Sequence, residues 1–242
     1  MLLIKYATRS RPQQFIKAMR NILQTTVTPY RIIVSCDEDD RLMNTAHMKS
    51  YVASRFKTTQ MFFGPRVNKV EAINRDMDKA GEWSVVVNFS DDMQFKIRAW
   101  DRMMLGKIKS VWGESTDFFA HFNDGYVGDR LPTMSIIGRE YHNRDGYIYH
   151  PSYKSFSCDA EAMYVAMMRG RHHYFKDLLF KHEHPANSRL NKNDSLYKLN
   201  SGYSMHDTEN YFARLKRYFD EPKGHEVMNA KPELKKFLCS PS

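Results

Sequence analysis

Cysteine is scarce in this chain: three residues among 242, Cys36, Cys158 and Cys239. They are odd in number, far apart and without Cys-x-x-Cys spacing, so neither a disulfide framework nor a zinc finger is indicated. No apolar run reaches the length of a membrane span, and the amino terminus opens directly on an apolar strand, Leu2-Leu3-Ile4-Lys5-Tyr6, without the layout of a signal peptide. A soluble, cytoplasmic protein is expected. Low-complexity segments and internal repeats are also missing. Acidic residues are outnumbered, leaving a formal net charge of +9, and the excess is spread over both halves rather than gathered in a tail. Such a balance suits polyanionic partners, nucleotide diphosphates first and nucleic acid second. A basic surface that binds nothing would look the same.

The first half alternates strand and helix. Strand 2–6 leads through Ala7-Thr8-Arg9-Ser10-Arg11-Pro12 into a helix with Phe15, Ala18, Met19, Ile22 and Leu23 on one face. Strand 31–35 runs into Cys36-Asp37, a helix is expected around 42–55, and a short strand 60–63 is closed by Gly64-Pro65. A helix over 68–80 carries Val70, Ile73 and Met77 inward, and Gly81 stops it before strand 83–89. This order predicts a parallel sheet with helices on both faces. Beyond residue 95 the pattern loosens. Residues 97–111 and 159–170 read as helices and 118–123 and 132–139 as strands. Asp145-Gly146 reads as a turn between strand-like runs, Arg171-His172-His173 as a solvated helix end, 185–207 as a long loop and 207–219 as a helix.

The densest chemistry lies in Val85-Val86-Val87-Asn88-Phe89-Ser90-Asp91-Asp92. A continuous apolar run of this length is a strand buried on both faces, and two carboxylates at its carboxyl end sit where open α/β sheets bind ligands. Adjacent like charges repel, and a hard cation such as Mg²⁺ or Mn²⁺, sharing its shell with phosphate, would hold both ionised. Solvated turn residues, or a helix cap, are the plain alternative.

Four elements then converge on one sheet edge: Thr8-Arg9 after the first strand, Asp37 after the second, Lys69 and Asn74 before the fourth, and Asp91-Asp92 after it. In this order the chain resembles the inverting nucleotide-sugar glycosyltransferases of GT-A fold, the family 2-like enzymes in particular. The resemblance covers about residues 1–185. It implies an α/β, GT-A-type, Rossmann-like layered sheet with a nucleotide-sugar half (1–95), an acceptor and catalytic half (96–185) and a loop and helical appendage (186–242). It implies donor binding by Thr8, Arg9, Arg11, Asp37, Lys69, Asn74 and Asp91. The family's metal motif Asp-x-Asp reads Ser90-Asp91-Asp92 here, with serine replacing the first acid, so Asp92 would coordinate Mn²⁺ or Mg²⁺ and Asp91 would face the ribose or sugar. Phe180-Lys181-His182-Glu183-His184-Pro185 resembles the late histidine segment of the metal shell. His182 and His184 alternate and so point the same way on an extended segment. The catalytic base would be Asp159 or Glu161 in Ser157-Cys158-Asp159-Ala160-Glu161, although acids in a helix first turn also arise for dipole reasons alone.

The expected reaction moves a sugar from a nucleotide diphosphate sugar, UDP-linked donors being commonest for such proteins, to an acceptor hydroxyl with inversion. Tyr141, Arg144, Tyr147, Tyr149, Tyr153, Lys154, Arg169, Arg171 and Tyr174 form an aromatic and basic run that would suit extruded bases and phosphates. With the basic charge and small size, that run resembles viral transferases that act on hydroxymethylated pyrimidines in DNA, in the host cytoplasm. Polysaccharide, glycolipid or protein acceptors are the alternatives. A nucleotidyltransferase is disfavoured because the loop after the first strand contains no glycine. A non-enzymatic nucleic-acid-binding module gives no reason for the ordered acids.

Overall fold

The computed structural model describes residues 1–183 and 199–230. Its principal sheet has seven strands in the order β3-β2-β1-β4-β7-β6-β8. Strands β1 (Leu2–Ala7), β2 (Tyr30–Asp37), β3 (Thr59–Gly64) and β4 (Val85–Phe89) run parallel, so their carboxyl ends share one edge. Strand β7 (Ile136–Gly138) pairs antiparallel with β4 and with β6 (Phe119–Asn123), and β8 (His172–Leu178) pairs parallel with β6. A separate two-stranded sheet joins β5 (Met93–Phe95) to β9 (Phe180–His182).

Successive strand residues alternate between two cores. Ile4, Val34, Val85, Val87 and Phe89 face one side, where they meet Phe15, Ala18 and Ile22 of α1 (Pro12–Thr25), Val52 of α2 (Ala46–Arg55) and Met104 of α4 (Trp100–Trp112). Leu3, Ile33 and Val86 face the other, against Val70 of α3 (Lys69–Asn74) and Met163 of α6 (Cys158–Met168). Both faces are covered, as the unbroken apolar run of β4 requires. Among the described residues no helix is long and apolar enough to cross a membrane.

Several expected elements differ. The helix foreseen over 68–80 ends at Asn74, and Asp76 turns left-handed (φ 65°) before a short 3₁₀ turn at Met77–Ala80. The break turns the Asp76 carboxylate toward Ser35 Oγ, 2.7 Å away, and Lys79 Nζ, 2.5 Å away, while Lys5 Nζ donates to the same Ser35 hydroxyl. The Asp145-Gly146 signal is a helix end rather than a hairpin. Helix α5 (Arg139–Asp145) closes on left-handed Gly146 (φ 75°), whose N–H reaches His142 O at 2.8 Å. Arg171-His172-His173 enters strand β8 rather than ending a helix.

Within the stretch expected as an appendage, α7 (Ser204–Leu215) places Tyr211 in the second core, joined there by Phe219. Its Asp207 accepts the backbone N–H groups of Lys154, Ser155 and Phe156 at 3.0, 2.7 and 2.8 Å. Helix α8 (Gly224–Ala230) follows, with Met228 buried.

Lys5 is fully buried in β1, and burial pulls its pKa down to about 7 against the attraction of Asp76. Between about 7 and the unfolded value of 10.5, the unfolded chain holds more of this proton, so the group's contribution to stability rises with pH. Denaturant titrations from pH 7 to 9.5 should show wild type gaining on Lys5→Met by up to about 1.4 kcal/mol per pH unit. A pH-independent difference would mean that Lys5 stays charged in the fold.

Candidate active site

The loop after β4 brings the two adjacent acids into different surroundings. Asp91 is almost wholly enclosed: Tyr6 OH donates to Oδ1 at 2.6 Å, Thr8 Oγ1 donates to Oδ2 at 2.9 Å, and Arg11 Nη1 stands 3.9 Å from Oδ2. Burial pushes its pKa up to about 7, and the Tyr6 and Thr8 hydrogen bonds with the Arg11 charge oppose that rise. Tyr6 supplies a site contact that the sequence reading, which has it only as the last residue of strand 2–6, does not single out, since an aromatic residue inside a strand gives no sign of what its hydroxyl meets.

Asp92 instead faces the small sheet. Ser90, in the place of the family's first acid, donates to Asp92 Oδ1, and His182 Nε2 lies 3.4 Å from Asp92 Oδ2. The approach is set by backbone pairing: Met93 is in register with His182, and Glu183 N–H donates to Asp92 O at 2.7 Å. A carboxylate oxygen and an imidazole nitrogen converging in this way are a donor pair that Mn²⁺ accepts. Among the described residues no three His, Cys, Asp or Glu side chains gather into a ready-made cage. The share of a cation shell that the described residues supply is thus small, leaving room for diphosphate oxygens and water. His184 lies outside the described residues.

At the ends of β1 and β2, Arg9 Nη1 bonds Asp37 Oδ2 at 2.8 Å and Asp39 Oδ1 at 2.5 Å, and Arg9 Nη2 bonds Asp39 Oδ2 at 3.1 Å. Arg75 Nη2 bonds Cys36 O and also reaches Asp37 Oδ1 at 3.3 Å. Both Asp37 oxygens therefore already carry a guanidinium, a pairing of residues 28 and 38 positions apart that no local motif announces.

The two residues expected on α3 separate. The Asn74 side chain clamps a neighbouring loop: Oδ1 accepts from Ile148 N at 3.0 Å and Tyr149 N at 3.1 Å, and Nδ2 donates to Tyr149 O at 2.6 Å. All three bonds go to backbone, so Asn74 is placed to position the loop rather than to meet a donor. Lys69, exposed at the first turn of α3, acts electrostatically on Asp159 and Cys158.

The candidate bases also separate, as residues two apart on a helix must, lying about 200° apart around its axis. Asp159, in the first turn of α6, accepts Ala160 N–H at 2.9 Å. Burial raises its pKa, and the charge of Lys69 works against that rise. Glu161 points into the second core. Arg214 Nε and Nη2 grip its two oxygens at 2.8 Å each, and Tyr153 OH donates at 2.6 Å. Three hydrogen bonds, two of them from a guanidinium, thus tie that carboxylate into the fold.

The aromatic and basic run is structural for the most part. Tyr141, Tyr149 and Tyr153 are buried, with Tyr149 OH 3.0 Å from Ser135 Oγ. Arg144 and Arg171 both pair with Asp117, at 2.6 and 2.7 Å, and Arg169 bridges Asp145 and Glu221. The three tyrosines and Arg169 are not displayed for stacking on bases or neutralising phosphates, whereas Arg144 and Arg171 remain exposed beside Asp117.

No protein-family model and no curated protein matches the chain. Solved structures do. The mannosyltransferase PcManGT from Pyrobaculum calidifontis, in complex with GDP-Man and Mn²⁺, superposes with a TM-score of 0.70 at 11% identity over 98% of this chain and 69% of that one. GalNAc-T7 with UDP, GalNAc and Mn²⁺ gives 0.59 at 11% identity over 73% of this chain and 44% of that one. TarS from S. aureus gives 0.56 at 12% identity over 76% and 36%. This chain therefore spans under half the length of the last two. The fold is that of GT-A glycosyltransferases, as the order of strands, helices and acids predicts.

Proposed function

We propose that this protein is a glycosyltransferase that moves a sugar from a nucleotide diphosphate sugar to an acceptor hydroxyl by one inverting displacement. The observation that carries the reading is the approach of His182 to Asp92, 3.4 Å apart, beside the carboxyl end of β4 in a GT-A-type fold, with Asp159 heading α6 as the candidate base. Structures of similar fold hold GDP- or UDP-linked ligands and Mn²⁺, which agrees with such a donor and with a divalent cation.

Asp92 and His182 would hold that cation, whose chemistry is to offset charge on the leaving diphosphate. Thr8 and Arg11 keep Asp91 fixed toward the donor. Asp159 removes the acceptor hydroxyl proton as the oxygen attacks the anomeric carbon. A glycosidic C–O bond forms, the C–O bond to the diphosphate breaks, and the proton ends on Asp159. Inversion follows from the single displacement. A base with a raised pKa is inert when protonated, so kcat/KM should rise with pH through the Asp159 titration.

Support for hydroxymethylated pyrimidine in DNA as acceptor is reduced, because Tyr141, Tyr149 and Tyr153 are buried and Arg169 is held by Asp145 and Glu221, while Arg144 and Arg171 stay exposed. Saccharide, lipid-linked and protein hydroxyls stand beside it in an acceptor panel.

Because the described residues bring only the Asp92–His182 pair to a cation, Mn²⁺ alone should scarcely move the melting temperature. Mn²⁺ with a nucleoside diphosphate near 100-fold above Kd should raise it on the order of 5 °C. Asp92→Ala should remove the metal-dependent part of that rise. Absence of any shift across UDP, GDP, ADP and CDP with Mn²⁺ would reject the reading.

A further inference from the structure

Arg9 is held as a fixed instrument, and its free edge points to one class of base. Its side chain is 20% exposed, while Asp37, which helps to hold it, is 6% exposed. Both Nη1 hydrogens and one Nη2 hydrogen are committed to Asp37 and Asp39. In a planar guanidinium the donors then left over, Nε–H and the second Nη2 hydrogen, lie side by side on one edge. No described residue takes them. They form a rigid fork that fits two adjacent acceptors.

Position and charge say what those acceptors belong to. Asp37 ends β2, two strands across from β4, so at a strand spacing of about 4.8 Å the cluster sits about 10 Å from Asp91-Asp92. That offset is the reach from a diphosphate to its base. Arg9, Arg75, Asp37 and Asp39 carry two positive and two negative charges, a formal sum of zero, which favours a neutral acceptor pair over another phosphate. Guanine presents such a pair in N7 and O6, whereas adenine sets a donor beside N7 and uracil a donor beside O4. Cytosine's pair, N3 and O2, lies beside its own ribose.

Resting on the transferase reading above, we infer that Arg9 reads the donor's base and that the donor is a GDP-type rather than a UDP-type nucleotide sugar. The acid after β2, whose oxygens are already taken, serves as the clamp that aims Arg9.

Calorimetric titration of the full chain with Mn²⁺ and free nucleoside diphosphates tests this. GDP and inosine diphosphate, which share N7 and O6, should bind at least about tenfold more tightly than UDP or ADP. 7-Deaza-GDP, which lacks the N7 acceptor, should lose about tenfold relative to GDP. Arg9→Lys, which keeps the charge but not the fork, should bring GDP affinity down to within about threefold of UDP affinity, with a melting curve on the same sample to show that it is folded. UDP or CDP binding most tightly, or 7-deaza-GDP matching GDP, would overturn the base assignment and leave the transferase standing. Failure of every nucleotide to bind would overturn the transferase reading itself.

Discussion

Asp159→Asn should lower kcat by about 10²- to 10⁴-fold, with donor affinity and melting temperature close to wild type. The half-buried carboxylate sits at the first turn of α6, and its partial desolvation raises its pKa, so the ionised form is held at some cost. Asparagine removes that penalty and can still accept the Ala160 N–H bond, which is why stability should hold or rise slightly. Proton removal alone is lost. Steady-state rates at saturating donor, with circular dichroism and a melting curve on the same sample, would decide. A variant that turns over at wild-type rate takes the base away from Asp159; one that simply unfolds makes the residue structural.

Arg214→Met should cost about 3–5 kcal/mol of unfolding free energy, because it strips a buried carboxylate of its counter-charge. Glu161 is 3% exposed and Arg214 8%, and the two N···O contacts are 2.8 Å each. Tyr153 would be left as the only donor to an otherwise unpaired acid in the second core. The double variant Glu161→Leu/Arg214→Met, which removes both charges and keeps apolar volume, should recover much of the loss. Urea titrations of the two single variants and the double variant give the coupling directly. Single variants with near-wild-type stability would mean the pair is solvated rather than buried.

Asp159 and Glu161 show where sequence reading reached its limit. Both stand in the same helix turn in the order that the family resemblance implies, and nothing local separates them. The difference is made by Arg214, 53 positions later in the chain. The same holds for the arginines and tyrosines expected on an acceptor surface: Arg144 and Arg171 are legible as basic, but their shared partner Asp117 is not legible as a partner. By contrast β1, α1, β2 and β4 were readable because continuous apolar runs and helical spacing are local signals, and they place Thr8, Asp37 and Asp91-Asp92 along one edge without any long-range information. Strand β7, three residues long, lies inside the 132–139 run that reads as a strand, whereas β8 carries His172, His173 and Tyr174 where an apolar alternation would announce it and so had no strong signal to offer. The helix broken at Asp76 failed for another reason. Val70, Ile73 and Met77 keep helical spacing across the break, and the attraction of Ser35, Lys79 and buried Lys5 for one carboxylate outweighs it.

The grip of Asp207 on residues 154–156 also bears on when the protein becomes competent during its synthesis. Those three residues lead directly into Ser157, Cys158 and Asp159. The strands that carry Thr8, Asp37 and Asp91 can pair once the first ninety or so residues have left the ribosome. The turn that presents Asp159 must wait for a helix made much later. A nascent chain would thus line up the residues at the ends of β1, β2 and β4 well before it can fix the turn that presents Asp159, and the interval between the two is the time needed to translate from β4 to α7.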